Sequence, residues 1–143
     1  MRLLGVDWGS RRIGFAVGEL EPGIASPRTP LPASGSLQTD ASRIAAMAAV
    51  EEVERIVIGV PVQPDPEGDP RQQRLCRTLA EKLRAQGLDV AIVDESLTSI
   101  EAEGHLRAGG ETAATRRRRR DGEAACLILE RYFVETSGTE GRP

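Results

Sequence analysis

The fold is decided by residues 2–18, which read RLLGVDWGSRRIGFAVG. A first apolar run ends at a carboxylate, Asp7, and a second apolar run begins at Ile13. The residues between them include Gly and Ser, which are typical of turns. The pattern therefore predicts two strands joined by a tight turn.

Further strands and a helix are predicted after this pair. Residues Ile24–Pro30 predict a third strand at the sheet edge, where the missing N–H of proline is tolerated. The apolar spacing of 39–52 predicts a helix capped by Thr39 or Asp40. Residues 55–60 are apolar without alternation, which is typical of a parallel strand buried on both faces.

The rest of the chain alternates helix and strand signals. The spacing predicts a helix over 70–86, a buried strand over 90–93 and a second helix over 100–108. Small and polar residues over 109–115 predict a mobile segment, and a final helix is predicted over 119–135. The order of these elements predicts one α/β domain with a mixed sheet over 1–135, followed by a disordered tail over 136–143.

The composition disfavours several kinds of site. The 143 residues are 39% hydrophobic and 29% charged, which suits one globular domain. One histidine, His105, disfavours histidine-centred chemistry, and four aromatic side chains are too few for a base-stacking platform. Cys76 and Cys126 lie in apolar patterns and predict no disulfide or zinc site. We expect a cytoplasmic protein without a signal peptide or a membrane segment.

The net charge of −3 conceals two basic segments. Residues 1–18 have a net charge of +2 and 104–120 of +5, whereas 19–103 have −7. The basic side chains lie beside two carboxylates, Asp7 and Asp121. We expect these side chains to bind the phosphate backbone of a nucleic acid; they are Arg11, Arg12, Arg116, Arg117, Arg118, Arg119 and Arg120.

Three carboxylates are predicted to meet at the carboxyl ends of the parallel strands. Asp7 and Glu95 stand at strand ends, and Asp121 shares a helix face with Ala125 and Ile128. A carboxylate directed inward is costly unless it is paired or binds a metal. Oxygen ligands alone suit Mg²⁺ or Mn²⁺, which predicts metal-dependent hydrolysis of phosphodiester bonds with Asp7, Glu95 and Asp121 as catalytic ligands.

Each of these residues also has a structural explanation. Asp7 fits turn chemistry, Glu95 fits a solvated strand end, and Asp121 fits the cap of the final helix. The run of arginines is typical of a solvated surface. The coincidence of three acids at one end of one predicted sheet favours the metal site.

With these residues identified, the chain resembles the YqgF/RuvX family, whose members are described as Holliday-junction-resolvase-like proteins or pre-16S ribosomal RNA nucleases. The resemblance extends from Arg2 to Phe133 and rests on four motifs in order. They are GVDWGSRRIGFAVG at 5–18, IVIGVP at 56–61, DESLT at 94–98 with Glu101 and Ala102, and DGEAACLILERYF at 121–133.

This resemblance implies an RNase H-like fold with a five-stranded mixed sheet, whose first three strands are antiparallel, and a metal-dependent nuclease activity. The acidic positions of the family fall on Asp7, Glu95 and Asp121. Two departures concern the substrate contacts. Ser96 stands where the family usually has arginine, and 62–66 read VQPDP instead of the usual Leu-Asn-x-Asp-Gly. Arg12 or the 116–120 run are candidates to replace that arginine.

Two other functions also fit parts of the sequence. Asp7-x-Gly-Ser10 also resembles the phosphate loop of actin-like ATPases and sugar kinases, but those proteins clamp the nucleotide between two such domains and 143 residues supply one. The second alternative is a non-catalytic RNase H-like protein that binds nucleic acid or a protein partner. The sequence does not choose between structured RNA and branched DNA, or between a monomer and a homodimer.

Overall fold

The strand and helix signals of the sequence correspond to five strands and three helices in the part of the chain that the structure describes. This computed structural model describes residues 1–61, 69–95 and 113–140, with the backbone alone for 113–121 and 137–140. The strands are β1 (Arg2–Trp8), β2 (Arg12–Glu19), β3 (Ile24–Pro32), β4 (Arg55–Val60) and β5 (Val90–Asp94), and the helices are α1 (Leu37–Val50), α2 (Gln72–Ala85) and α3 (Ala113–Glu140).

The five strands form one mixed sheet in the order β3-β2-β1-β4-β5. Strands β1, β2 and β3 pair antiparallel, whereas β4 pairs parallel with both β1 and β5. The sheet therefore confirms the predicted topology, including the position of β3 at an edge. The carboxyl ends of β1, β4 and β5 meet at the same end of the sheet, which we call the carboxyl edge.

The alternation of side chains along β1 divides the core into two layers. Leu4, Val6 and Trp8 belong to the cluster that packs against α1 and α2, whereas Leu3 belongs to the cluster that packs against α3. Residues two apart in a strand face the same side of a sheet. Asp7 therefore faces the side of the sheet that α3 covers.

Helix α3 lies directly on the backbone of β1 and β2, because glycines occur where it crosses them. A Cβ added to Gly5 would lie 2.8 Å from the carbonyl oxygen of Ala125, and one added to Gly18 would lie 2.9 Å from the ring of Phe133. Any larger residue would push the helix outward. The predicted apolar face of this helix is confirmed, since Ala125, Ile128 and Tyr132 are buried.

Two predicted helix starts were wrong. Helix α1 is capped by Ser36, whose Oγ accepts a hydrogen bond from the N–H of Thr39 at 3.2 Å, and not by Thr39 or Asp40. Helix α3 begins at Ala113 instead of residue 119, because alanine and arginine are strong helix formers that extend it toward the N-terminus.

Three further predictions concern the end of α3, the domain boundary and a helix that lies outside the described residues. Helix α3 continues to Glu140, five residues past its predicted end at 135. The division into a domain over 1–135 and a tail over 136–143 stays a prediction. The predicted helix over 100–108 lies outside the described residues. No described helix has both the length and the apolar character needed to cross a membrane.

Ion pairs to Glu51 hold the C-terminus of α1 against two strands. The carboxylate of Glu51 accepts hydrogen bonds from Arg2 and Arg28, each at 2.9 Å. The hydrogen bond from Arg28 is the largest cause that lowers the pKa of Glu51 from its ordinary 4.5, and Arg2 acts in the same direction. A carboxylate with a lowered folded pKa stabilises the fold above the unfolded pKa, and this stabilisation is lost as the pH falls through the folded value.

We therefore expect Glu51→Gln to lower Tm by roughly 2–4 °C near pH 7, the size expected for a pair of surface ion pairs. The difference from the parent should shrink as the pH falls below 4.5. Thermal unfolding as a function of pH checks this. Glu54→Gln, at an exposed position with no ion pair among the described residues, is the control. A Tm difference that persists in acid would contradict the assignment.

Candidate active site

Two of the three predicted carboxylates meet at the carboxyl edge. Asp7 lies in β1, and Glu95 follows β5 directly, where its N–H donates a hydrogen bond to the carbonyl of Val60 at 3.2 Å. The side chains of Asp7 and Glu95 are hydrogen-bonded to each other. The two residues come from strands on either side of β4. The structure thus confirms that these strand-end acids converge.

Gly59, on the strand β4 between them, leaves room for the side chain of Glu95. A Cβ added to Gly59 would lie 2.8 Å from Oε2 of Glu95 and 2.5 Å from Cδ1 of Ile128. A side chain at this position would therefore displace both the carboxyl group and the helix above it. This role was not predicted from the sequence, although a glycine within a run of β-branched residues is the signal for such a close approach.

The carboxyl pair holds less negative charge than two ordinary carboxylates. Burial raises the pKa of Glu95, and the negative charge of Asp7 and the hydrogen bond that protonated Glu95 donates to Asp7 raise the pKa further. Two acids this close resist being ionised together. The pair therefore retains a proton over a pH range in which isolated carboxylates have lost theirs.

The thiol of Cys76 lies on α2 close enough to sense this pair. Burial raises the pKa of Cys76 to about 12, and the charges of Glu95 and Asp7 add to the effect. Near neutral pH the thiol is thus protonated. The nucleophile in cysteine chemistry is the thiolate, so Cys76 is part of the core and not a reactive group.

Two helices fix the end of β1 through Trp8. The indole Nε1 of Trp8 donates to Oδ2 of Asp40 at 2.9 Å, and the carbonyl oxygen of Trp8 accepts from Nε2 of Gln72 at 2.6 Å. Asp40 is fully buried and also accepts from the N–H of Ser34 at 3.0 Å. Since Trp8 follows Asp7, we call Trp8, Asp40 and Gln72 the Trp8 clamp.

Asp121 lies inside α3, eight residues after Ala113. The alternative in which it caps this helix is therefore wrong. Its side chain lies outside the described part of the chain. Among the side chains that the structure describes, no three acidic, histidine or cysteine groups lie together as a metal site.

The predicted phosphate-binding arginines fall into two groups. Arg11 is exposed in the turn between β1 and β2, and Arg12 is partly exposed at the start of β2. Residues 116–120 belong to the first turns of α3, and their side chains lie outside the described part, as do Ser96 and the loop at 62–66. Both described arginines stand close to the carboxyl edge in the sequence and in the sheet.

The strand order and the acid pair at the carboxyl edge define the RNase H-like class of nuclease folds. A family model described as RuvX, Holliday junction resolvase, matches residues 1–135. A protein from Anaeromyxobacter dehalogenans named "Putative pre-16S rRNA nuclease" is 41% identical over 134 residues, which cover 93% of this chain and 96% of the relative. A relative of the same name from Edwardsiella ictaluri is 33% identical over 132 residues, which cover 92% and 93%. The chain belongs to the RuvX family.

Solved structures support the same fold. A Thermus thermophilus RuvC in complex with a Holliday junction substrate covers 97% of both chains with a TM-score of 0.58 and 13% identity. The yeast mitochondrial Holliday junction resolvase covers 96% of this chain and 82% of its own, with a TM-score of 0.53 and 8% identity. These likenesses confirm the RNase H-like fold that the family resemblance implied.

The carboxyl pair predicts an unusual effect on stability. Because the pKa of Glu95 is raised in the folded chain, the unfolded chain loses this proton first, so the fold loses stability as the pH rises above 4.5. Glu95→Gln removes this penalty and can still donate a hydrogen bond to Asp7. In the presence of a chelator, we expect the variant to raise Tm by about 2 °C or more near neutral pH.

The same comparison near pH 4 should show little difference, since the carboxyl group is then protonated in both states. Thermal unfolding at both pH values, with Glu54→Gln as the control, measures the effect. A variant that is less stable than the parent near neutral pH would show that the pair is ionised in the metal-free protein.

Proposed function

We propose that this protein is a metal-dependent nuclease that hydrolyses phosphodiester bonds, with Asp7, Glu95 and Asp121 as its metal ligands. The observation that carries the proposal is the hydrogen-bonded pair of Asp7 and Glu95 at the carboxyl edge. In α/β sheets, ligands bind outside the carboxyl ends of the parallel strands. The two carboxyl groups therefore lie where this class of fold places its chemistry.

The donor set fits Mg²⁺ or Mn²⁺. Both ions prefer carboxylate oxygens, and a divalent cation can replace the proton that the pair otherwise retains. When bound, such an ion supplies positive charge to the scissile phosphate and its leaving oxygen. The proton on Glu95 implies that cation binding releases a proton and strengthens as the pH rises.

The scaffold supplies the positioning of these ligands. The Trp8 clamp fixes the backbone beside Asp7, and Gly59 leaves room for Glu95 above β4. Both ligands are therefore set before any substrate arrives. A site held in this way needs little rearrangement during the reaction.

The register of α3 supports Asp121 as the third ligand. Ala125 and Leu129 of this helix lie against Gly5 of β1. Asp7 is two residues further along β1, about 6.6 Å, and residue 121 is four residues before Ala125, about 6 Å along the helix. The two advances are similar, which favours placing residue 121 near the level of Asp7.

We propose a structured nucleic acid as the substrate. The family relatives are named for pre-16S rRNA, and the family description for the Holliday junction. Two reactions in the cytoplasm are therefore candidates: processing at the 5′ end of pre-16S rRNA and resolution of branched DNA. A monomer can perform the first, whereas the second requires a homodimer to cut two strands symmetrically. Arg11, Arg12 and the arginines at 116–120 would bind the phosphate backbone.

The activity is tested with a pre-16S rRNA fragment and a four-way DNA junction, side by side, with Mg²⁺ or Mn²⁺. We expect cleavage of at least one substrate, and Asp7→Asn should reduce it by about 100-fold or more, since a metal ligand is lost. The matched control is Asp89→Asn, because Asp89 lies before β5 at the opposite end of the sheet and pairs with Arg55. A folded parent that cuts neither substrate would favour the non-catalytic alternative.

The arginines at 116–120 are tested by their effect on salt dependence. Replacing all five by glutamine should weaken binding of the cleaved substrate and reduce the slope of log K against log salt by about 0.9 for each lost phosphate contact. Fluorescence anisotropy over a range of salt concentrations measures this slope. An unchanged slope would assign this run to a solvated surface.

A further inference from the structure

A group of basic side chains on α2 was hidden by the acidity of the segment around it. Residues 19–103 have a net charge of −7, yet 71–85 contain five basic residues and one acidic residue. The pattern of leucines in this helix identified its buried face. The positive charges on its other face do not show in the net charge of the longer segment.

Ion pairs within the fold neutralise most of the described arginines. The paired arginines are Arg2 with Glu19 and Glu51, Arg28 with Glu51, Arg43 with Asp40, Arg55 with Asp89, Arg71 with Asp69, and Arg84 with Glu81. In the described part of the chain, no ion pair includes Arg11, Arg74 or Arg77, and all three are exposed. Their charges therefore face solvent without a described carboxylate at ion-pair distance.

These three arginines flank the carboxyl edge. Helix α2 begins there, because its first residue, Gln72, donates to the carbonyl of Trp8. Arg74 and Arg77 are three residues apart, which makes them neighbours on the helix surface, about 5–6 Å between Cβ atoms. With a rise of 1.5 Å per residue, Arg77 lies about 8 Å along the axis from Gln72.

The buried face of α2 shows where these two arginines point. Cys76, Leu79, Ala80 and Leu83 are buried against the sheet and α1. Arg74 and Arg77 occupy the opposite side, while Cys76 on the inner side senses the charges of the carboxyl pair. The exposed arginines thus stand on the helix that directly borders the candidate active site.

We propose that Arg74 and Arg77, together with Arg11, bind phosphates of the nucleic-acid strand that leads to the Asp7–Glu95 pair. This inference rests on the proposed nuclease function and defines the path of the substrate across the protein. The phosphate backbone is the occupant because each phosphate carries one negative charge that an arginine can meet with two hydrogen bonds.

The test compares two double variants of α2 that remove the same charge. Arg74→Gln with Arg77→Gln removes the proposed contacts, and Lys82→Gln with Arg84→Gln removes two charges from the distal half of the helix. Each pair is introduced into the Asp7→Asn background, so that binding is measured without cleavage. The probes are the pre-16S rRNA fragment and the four-way DNA junction, followed by fluorescence anisotropy from about 50 to 200 mM salt.

We expect the Arg74/Arg77 variant to bind at least about fivefold more weakly at low salt and its salt slope to fall by about 2, one for each phosphate contact. The Lys82/Arg84 variant should keep the slope of the background protein. In the active protein, which retains Asp7, we expect the Arg74/Arg77 double substitution to increase KM. It should leave kcat within about twofold, as expected when binding contacts alone are lost.

The outcomes separate this inference from the proposed function. If the background protein binds a probe with a steep salt slope and the Arg74/Arg77 variant keeps that slope, the path over α2 is wrong and the nuclease proposal stands. If both double variants weaken binding equally, the effect is one of net charge and the path is again overturned. If the parent neither binds nor cuts either probe, the proposed function fails and this inference fails with it.

Discussion

The direct contact of α3 with the backbone of the sheet is the constraint on which the rest of the structure depends. Gly5 and Gly18 allow the helix to lie on β1 and β2, and Gly59 allows Ile128 to lie on β4. Protein interiors are close-packed, so a helix at this distance has one register on the strands. That register sets the level at which residue 121 passes the strands, on the side of the sheet where Asp7 and Glu95 meet.

The opposite side of the sheet fixes the same strand end by hydrogen bonds. The Trp8 clamp joins β1 to both α1 and α2, and its buried carboxylate, Asp40, has two N–H donors. A buried charge is tolerated only when it is paired in this way. The candidate site therefore lies where α3 packs directly on the strands and where hydrogen bonds from the other layer fix the end of β1. The raised pKa of Glu95 reflects first its burial there and then the charge of Asp7 beside it.

The distribution of charge explains how an acidic protein can bind a polyanion. The net charge is −3, but carboxylates already paired with structural arginines contribute little repulsion beyond a Debye length of about 8–10 Å. Arginines that form no ion pair with any carboxylate in the described part of the chain stand beside the carboxyl edge. What matters for association is the local field near the site and not the sum over the chain.

The sequence by itself determined the strands, their buried or edge character, and the convergence of Asp7 with Glu95, because these depend on local periodicity and on the rule that parallel strands end together. It even located β4 to the residue, at 55–60. Only the tertiary structure shows that Asp40 accepts a hydrogen bond from Trp8, that Gln72 donates one to the end of β1, and that Gly59 leaves room for Glu95. Each of these partners is more than 30 residues away along the chain, so no local pattern encodes the contact, and packing alone brings the groups together.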